Sequence, residues 1–216
     1  FANRQLARLL LQQESLPETI DKQLSIVKGH LNRTERQIGM QNRLVSDLLD
    51  VSRIHADRLE LHPELYNLVT MIREVVEDQH YLTPQRTLEL SLNAPDEVLV
   101  LADSDRIRQV VSNYLSNALK YSEASKPVQI SVDLLDTEVR VSVRDEGPGL
   151  TPEQQQRIWE RFYRAPGIEV RTGSGVGLGL GLHISRMIIE RQSGRVGLQS
   201  TPGRGSTFWF NLPLAE

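Results

Sequence analysis

The spacing of apolar positions changes once along the chain. Over residues 1–57 they recur at helical intervals. From Leu24, steps of three and four pick out Leu24, Val27, Leu31, Thr34, Ile38, Gln41, Val45, Leu48 and Ser52, with Lys28, Asn32, Arg33, Arg36 and Asn42 on the flanks. A shorter stretch before it, "NRQLARLLLQQ", carries Leu6, Leu9 and Leu10 on one side. Between them, "SLPET" places Ser15 and Glu18 at capping-box spacing, with Pro17 in a first helical turn. The pattern predicts an antiparallel helical hairpin with a long second arm. Two helices cannot cover so long a stripe; a hairpin packed on its own domain would cover it, but the narrow, sustained seam favours a second copy and predicts a dimeric four-helix bundle, with Thr34, Gln41 and Ser52 weakening the packing and helping to fix register.

After Pro63 helical and alternating patterns mix. "NLVTMIREVVEDQHYL" reads as a helix, "RTLELSL" and "EVLVLA" as strands, and "DSDRIRQVVSNYLSNALKYS" as a helix opened by acidic residues that suit its dipole. "VQISVDLL" turns at Asp136-Thr137 and returns as "VRVSV", a β-hairpin. "TPEQQQRIWERFYR" reads as one helix, capped by Thr151 with Pro152 in its first turn and Gln154 closing a capping box. A glycine loop, a helix from about Leu178 to Gln192 and two strands, "RVGLQS" and "STFWFNL", complete the pattern. The fold class expected is α+β: a two-layer α/β sandwich, helices on one face of a mixed sheet, preceded by the hairpin. The expected division is a dimerisation hairpin over 1–57, a linker over 58–66 and a catalytic domain over 67–216.

Composition narrows the function classes. With 216 residues the chain is long enough to bury a real core. A net charge of −3 gives no reason to expect nucleic acid. The absence of cysteine excludes a disulfide framework and thiolate chemistry, which fits a reducing, cytoplasmic setting. The sequence holds no apolar run of membrane-spanning length and no signal-peptide pattern, although a longer parent protein is free to carry an anchor.

Candidate chemistry begins with "GSGVGLGLGLH", where glycines occupy every second position from Gly173 to Gly181 just before a helix. Bare backbone at a helix N-terminus suits phosphate, and a flexible hinge or close helix packing would also explain it. Leu178, Leu180 and Leu182 stand where a dinucleotide-binding fingerprint needs its third glycine, and no glycine here precedes a lysine as a P-loop requires. Three clusters join the loop. Asn113, Asn117 and Lys120 share one helix face next to Tyr121, two neutral oxygen donors and a cation suited to hydrated Mg²⁺ beside phosphate; a polar helix surface explains Asn-x-x-x-Asn alone. Asp145 ends a strand before Gly147 and Gly149, where a carboxylate can accept from an exocyclic amine; an ordinary turn fits too. Gly203 and Gly205 turn the chain into a last strand bearing Thr207, which a hairpin alone would explain.

The order and separation of these clusters resemble the catalytic and ATP-binding domain of sensor histidine kinases, in the wider ATPase group that includes gyrase and mismatch-repair proteins. Asn113–Tyr121 resembles the N box, "DEGPG", "GVGLGLGL" and "GRGSTF" the three glycine boxes, and "ERFYR" the F box; residues 1–57 resemble the dimerisation helices. The resemblance implies a Bergerat-type fold binding ATP and Mg²⁺. It implies that Asp145 recognises the adenine amine, that Asn117 with Asn113 holds Mg²⁺, and that Lys120 touches the phosphates. Tyr121 would line the pocket, Arg164 reach the terminal phosphate and Phe162 pack at the root of a lid over about Ala165 to Ser174. Gly147, Gly149, Gly175, Gly177, Gly179 and Thr207 complete the implied nucleotide set. The implied partners are a second copy of the chain and the receiver domain of a response regulator.

One family element is missing. The phosphate acceptor is expected in a histidine box followed by an acidic residue and Thr-Pro, and none of His30, His55, His62, His80 and His183 has those neighbours. Phe1 enters mid-helix without a cap, so the chain is expected to begin just after that box and to bind Mg-ATP without labelling itself. The competing reading is a non-catalytic nucleotide-sensing dimerisation module, or a degenerate kinase used as scaffold.

Overall fold

The computed structural model describes residues 34, 37–39, 41–42, 44–54, 56, 58–171 and 177–215. The first hairpin arm, the "SLPET" turn, His30, His55 and Gly175 lie outside the described residues. The chain divides into two compact units, Phe1–Ser46 and Asp47–Glu216. Residues 44–54 are helical, and on them Val45, Leu48 and Leu49 are exposed. Among the described residues no helix is long and apolar enough to cross a membrane.

The larger unit is a sandwich. Its five-stranded sheet runs β2-β4-β5-β7-β6, formed by β2 (Leu88–Asn93), β4 (Val128–Leu134), β5 (Glu138–Asp145), β7 (Gly205–Pro213) and β6 (Arg195–Thr201). Strands β2 and β4 pair in parallel; the other neighbours are antiparallel. Alternation along each strand sends one set of side chains to the helices. Ile130 and Val132, Val141 and Val143, and Phe208, Phe210 and Leu212 are buried on that face. A separate ribbon pairs β1 (Glu64–Asn67) with β3 (Leu99–Ala102), so the stretch expected as linker contains a strand.

Helix α1 (Leu68–Leu82) lies over β2, α2 (Ser104–Tyr121) over β4 and β5, and α4 (Gly181–Glu190) over β6 and β7; α3 (Pro152–Arg157) is a short fourth helix. Helix α2 buries Ile107, Val110, Val111, Tyr114, Leu115, Ala118 and Leu119, at spacings of three and four. The Tyr114 ring meets Phe208 at 5.7 Å and Phe210 at 6.3 Å between centroids. At the start of α2, Asp103 caps Arg106 N–H at 3.0 Å as its acidic opening predicted. There Arg106 binds both oxygens of buried Asp50, at 3.0 and 3.1 Å, and Gln109 donates to the same carboxylate at 2.9 Å.

Two helices are shorter than their periodicity predicts. Helix α3 has its capping box of Thr151 and Gln154 and starts at Pro152, but it stops at Arg157 instead of reaching Arg164. Trp159 turns inward to meet Phe208 edge-on at 6.1 Å, and Phe162 takes φ 61°, which no α-helix accommodates. Helix α4 begins at Gly181 instead of Leu178, because Gly179 has φ 69° and gives its carbonyl to Phe162 N–H at 3.0 Å.

Candidate nucleotide site

The site gathers around the last turn of α2. Strand β5 delivers Asp145 to the helix-covered side of the sheet, 6% exposed, with its side chain accepting from the Gly147 N–H at 2.7 Å and from the Ser206 N–H. Burial pushes its carboxyl up to about 6, and the two backbone N–H groups pull the other way. Gly147 is required by close approach: a Cβ there would meet Asp145 Oδ1 at 2.7 Å and the Tyr121 carbonyl at 2.9 Å. The loop after β5 therefore presses directly on the end of α2. Gly149, with φ 68°, passes against the Thr201 carbonyl on the far side of the same loop.

At the other end stand the cations. The Lys120 ammonium lies 5.2 Å from the Tyr121 ring centroid, and a Cβ on Gly177 would be 3.4 Å from its Nζ. Arg164, exposed, donates to the Gly177 carbonyl at 3.5 Å, and its charge opposes the upward shift that burial imposes on the Tyr121 hydroxyl. The Lys120 carbonyl accepts the Arg171 N–H at 2.9 Å. Gly177, Arg164 and Arg171, from the two sides of residues 172–176, thus meet the end of α2.

The two asparagines part ways. Asn113 donates to Ser185 Oγ at 2.9 Å, and its side chain fills the space a Cβ on Gly181 would need. It braces α2 against the start of α4. Asn117, one turn nearer Lys120 and half-buried, makes no side-chain hydrogen bond to another described residue. The donor chemistry fits Mg²⁺ at Asn117: a neutral amide oxygen suits a divalent ion whose other ligands are water and phosphate oxygens.

Two expected residues are corrected. Thr207 pairs with Arg144 and Gln199 across the sheet, while Ser206 pairs with Asp145. Alternation puts Thr207 on the face away from Asp145, and Ser206, whose Oγ lies 2.9 Å from Ser200 Oγ, borders the carboxylate instead. Phe162 donates its backbone N–H to the Gly179 carbonyl, but the residue is 58% exposed. With Trp159, His183, Arg186, Met187 and Glu190 it lines a separate groove of about 660 Å³, which contains none of the nucleotide cluster. Positive φ at Phe162 redirects the ring. Sequence reasoning placed Gly181 in the glycine loop without its close approach to Asn113, and it missed Ser185.

A two-layer sandwich whose open end gathers Asn117, Lys120, Asp145 and a glycine loop defines an ATP-binding domain of the histidine-kinase and gyrase class. Residues 102–216 match the family described as Histidine kinase-, DNA gyrase B-, and HSP90-like ATPase, and the chain belongs to that family. The chain is 35% identical over 196 residues to the adaptive-response sensory kinase SasA of Crocosphaera subtropica (strain ATCC 51142 / BH68), covering 90% of this chain and 50% of that protein. It thus spans about half the length of the curated relatives it matches first. Full-length ShkA, solved in complex with AMPPNP, superposes with TM-score 0.69 at 29% identity, over 97% of this chain and 42% of that one. Histidine kinase ThkA, solved with its response regulator protein TrrA, superposes with TM-score 0.59 at 26% identity, over 97% and 56%.

Proposed function

We propose that the chain is the ATP-binding, phosphoryl-donating part of a sensor histidine kinase. It binds Mg-ATP with adenine at Asp145 and the phosphates at Lys120, Arg164 and the backbone of Gly177. The observation that carries the reading is the convergence on one helix end: Gly147, beside Asp145, touches the Tyr121 carbonyl, while Gly177 lies against Lys120. In the transfer, a histidine ring nitrogen forms a bond to the γ-phosphorus as the bond to the bridging oxygen breaks and ADP leaves. The cations of Lys120 and Arg164 neutralise charge on the phosphate oxygens, so the chain contributes positioning and electrostatics. Asn117 would hold Mg²⁺, which when bound neutralises phosphate charge; Asn113 keeps α2 in register with α4.

The ThkA–TrrA complex supports a receiver-domain aspartate as the next acceptor. The exposed Ile38, Val45 and Leu48 on the helical seam support a homodimer. Neither sequence nor charge supports nucleic acid, and the setting proposed is cytoplasmic. A scaffold role without catalysis would require loss of ATP binding. Calorimetry of the 216-residue chain with Mg-ATP tests the reading: saturable binding at one site per chain, weakened by Asp145→Ala, is expected. No heat, or an unchanged affinity in Asp145→Ala, would overturn it. With γ-labelled ATP the chain alone should not acquire acid-labile phosphohistidine.

A further inference from the structure

We infer that Arg86, far from the cluster in sequence, is a positioning residue for the nucleotide site, acting through the final turn of α2. The inference rests on the reading of Lys120 and Tyr121 as nucleotide contacts. Arg86 lies in the turn after α1, its N–H bonded to the Thr83 carbonyl at 2.9 Å, and is 4% exposed. Among the described residues it forms no ion pair. Its guanidinium is aimed at backbone: Nη1 donates to the Leu119 carbonyl at 3.1 Å and the Ser122 carbonyl at 3.5 Å. Nη2 donates to Ser122 Oγ at 2.6 Å and the Lys126 carbonyl at 3.4 Å. Ser122 Oγ in turn donates to the Ala118 carbonyl at 2.7 Å.

Burying a cation without a counter-ion is costly, and here the charge faces the negative end of a helix dipole. A neutral donor would satisfy one of these carbonyls, whereas the planar fork reaches three. The two residues assigned to the nucleotide, Lys120 and Tyr121, lie between the two that Arg86 holds, Leu119 and Ser122. Their own carbonyls are engaged on the site side: Lys120 with the Arg171 N–H, Tyr121 against Gly147. Three carbonyls of the last turn are therefore hydrogen-bonded, that of Lys120 from the site side and those of Leu119 and Ser122 by Arg86, while that of Tyr121 packs close to Gly147. Losing the guanidinium would free the turn on one side and displace Lys120 and Tyr121 together.

The test is calorimetry with Mg-ATP on the wild-type chain, Lys120→Ala, Arg86→Met, Arg86→Lys and Ser122→Ala, well below each melting temperature. Stoichiometry reports the folded fraction and Kd reports the site. Arg86→Met is expected to bind at full stoichiometry but about tenfold more weakly, equivalent to about 1.4 kcal/mol. Arg86→Lys should recover part of that loss, and Ser122→Ala should show a smaller one. Full-stoichiometry binding with wild-type Kd in the Arg86 variants, whatever their melting temperatures, would overturn the inference. If Arg86→Met does not fold, the same criterion applies to Arg86→Lys and Ser122→Ala. Wild-type affinity in Lys120→Ala, or no binding by the wild type, would refute the underlying nucleotide reading instead.

Discussion

At the Asp145 end of the cluster the recognising group is buried, fixed by two backbone N–H groups and crowded by Gly147 against the end of α2. At the Lys120 end the groups are long side chains, half-buried or exposed, with Arg164 reaching the Gly177 carbonyl at 3.5 Å. The first is organised before any ligand arrives, so on the proposed reading selectivity for a base amine would be built into the fold. The second is a set of cations that an anion must draw together. Affinity for the base should therefore depend on single atoms, and affinity for the phosphates on several residues that partly replace one another.

The largest break should come from Asp145→Ala. Removing a buried charged acceptor costs about 2–3 kcal/mol, so ATP, ADP and adenosine should all bind on the order of 100-fold more weakly in calorimetry. Lys120→Ala should weaken ATP about tenfold while leaving adenosine nearly unchanged, because the lost bond is to phosphate alone. Equal losses for both ligands would place Lys120 in the wrong half of the comparison. Acidification should give a third, smaller effect. With the carboxyl at about 6, only the ionised fraction accepts the amine well, so affinity should fall about fourfold between pH 7.5 and 5.5. Smallest should be Arg164→Ala, about threefold on ATP affinity, since an exposed cation is well screened.

Stability should move oppositely with pH. The folded Asp145 carboxyl sits above its ordinary value of 3.8, so the folded state binds the proton more tightly than the unfolded chain does. Its contribution favours the fold at low pH and is lost as pH rises from 3.8 through 6. The melting-temperature advantage of Asp145→Asn over wild type should therefore be largest near pH 8 and shrink toward pH 5.

What the sequence revealed follows the same division. The β4–β5 hairpin and the Asp103 and Thr151 caps were legible because each depends on a few neighbouring residues. The short α3 was not: the 3.6 period continues through Trp159 and Phe162, and only the pull of Phe208 and the Gly179 carbonyl ends the helix. That Ser206 and not Thr207 borders Asp145 was not legible, because strand phase is set by pairing with β5, a partner that lies more than sixty residues away. Nothing local marks Arg86 as buried, since its acceptors lie 33 to 40 residues further on. In each case the deciding contact was tertiary.

The strand order carries a consequence for how the protein is made. Strand β7 lies between β5 and β6, although both precede it in the chain. As a ribosome releases the polypeptide, β6 emerges with no neighbour to pair with and must wait for Gly205–Pro213 before the two can join the sheet together. Because Ser206 rides on that late arrival and braces Asp145, a nascent chain lacking it would have no finished site for the base proposed to bind there. Nucleotide can then shield completed molecules from proteases while leaving unfinished ones exposed.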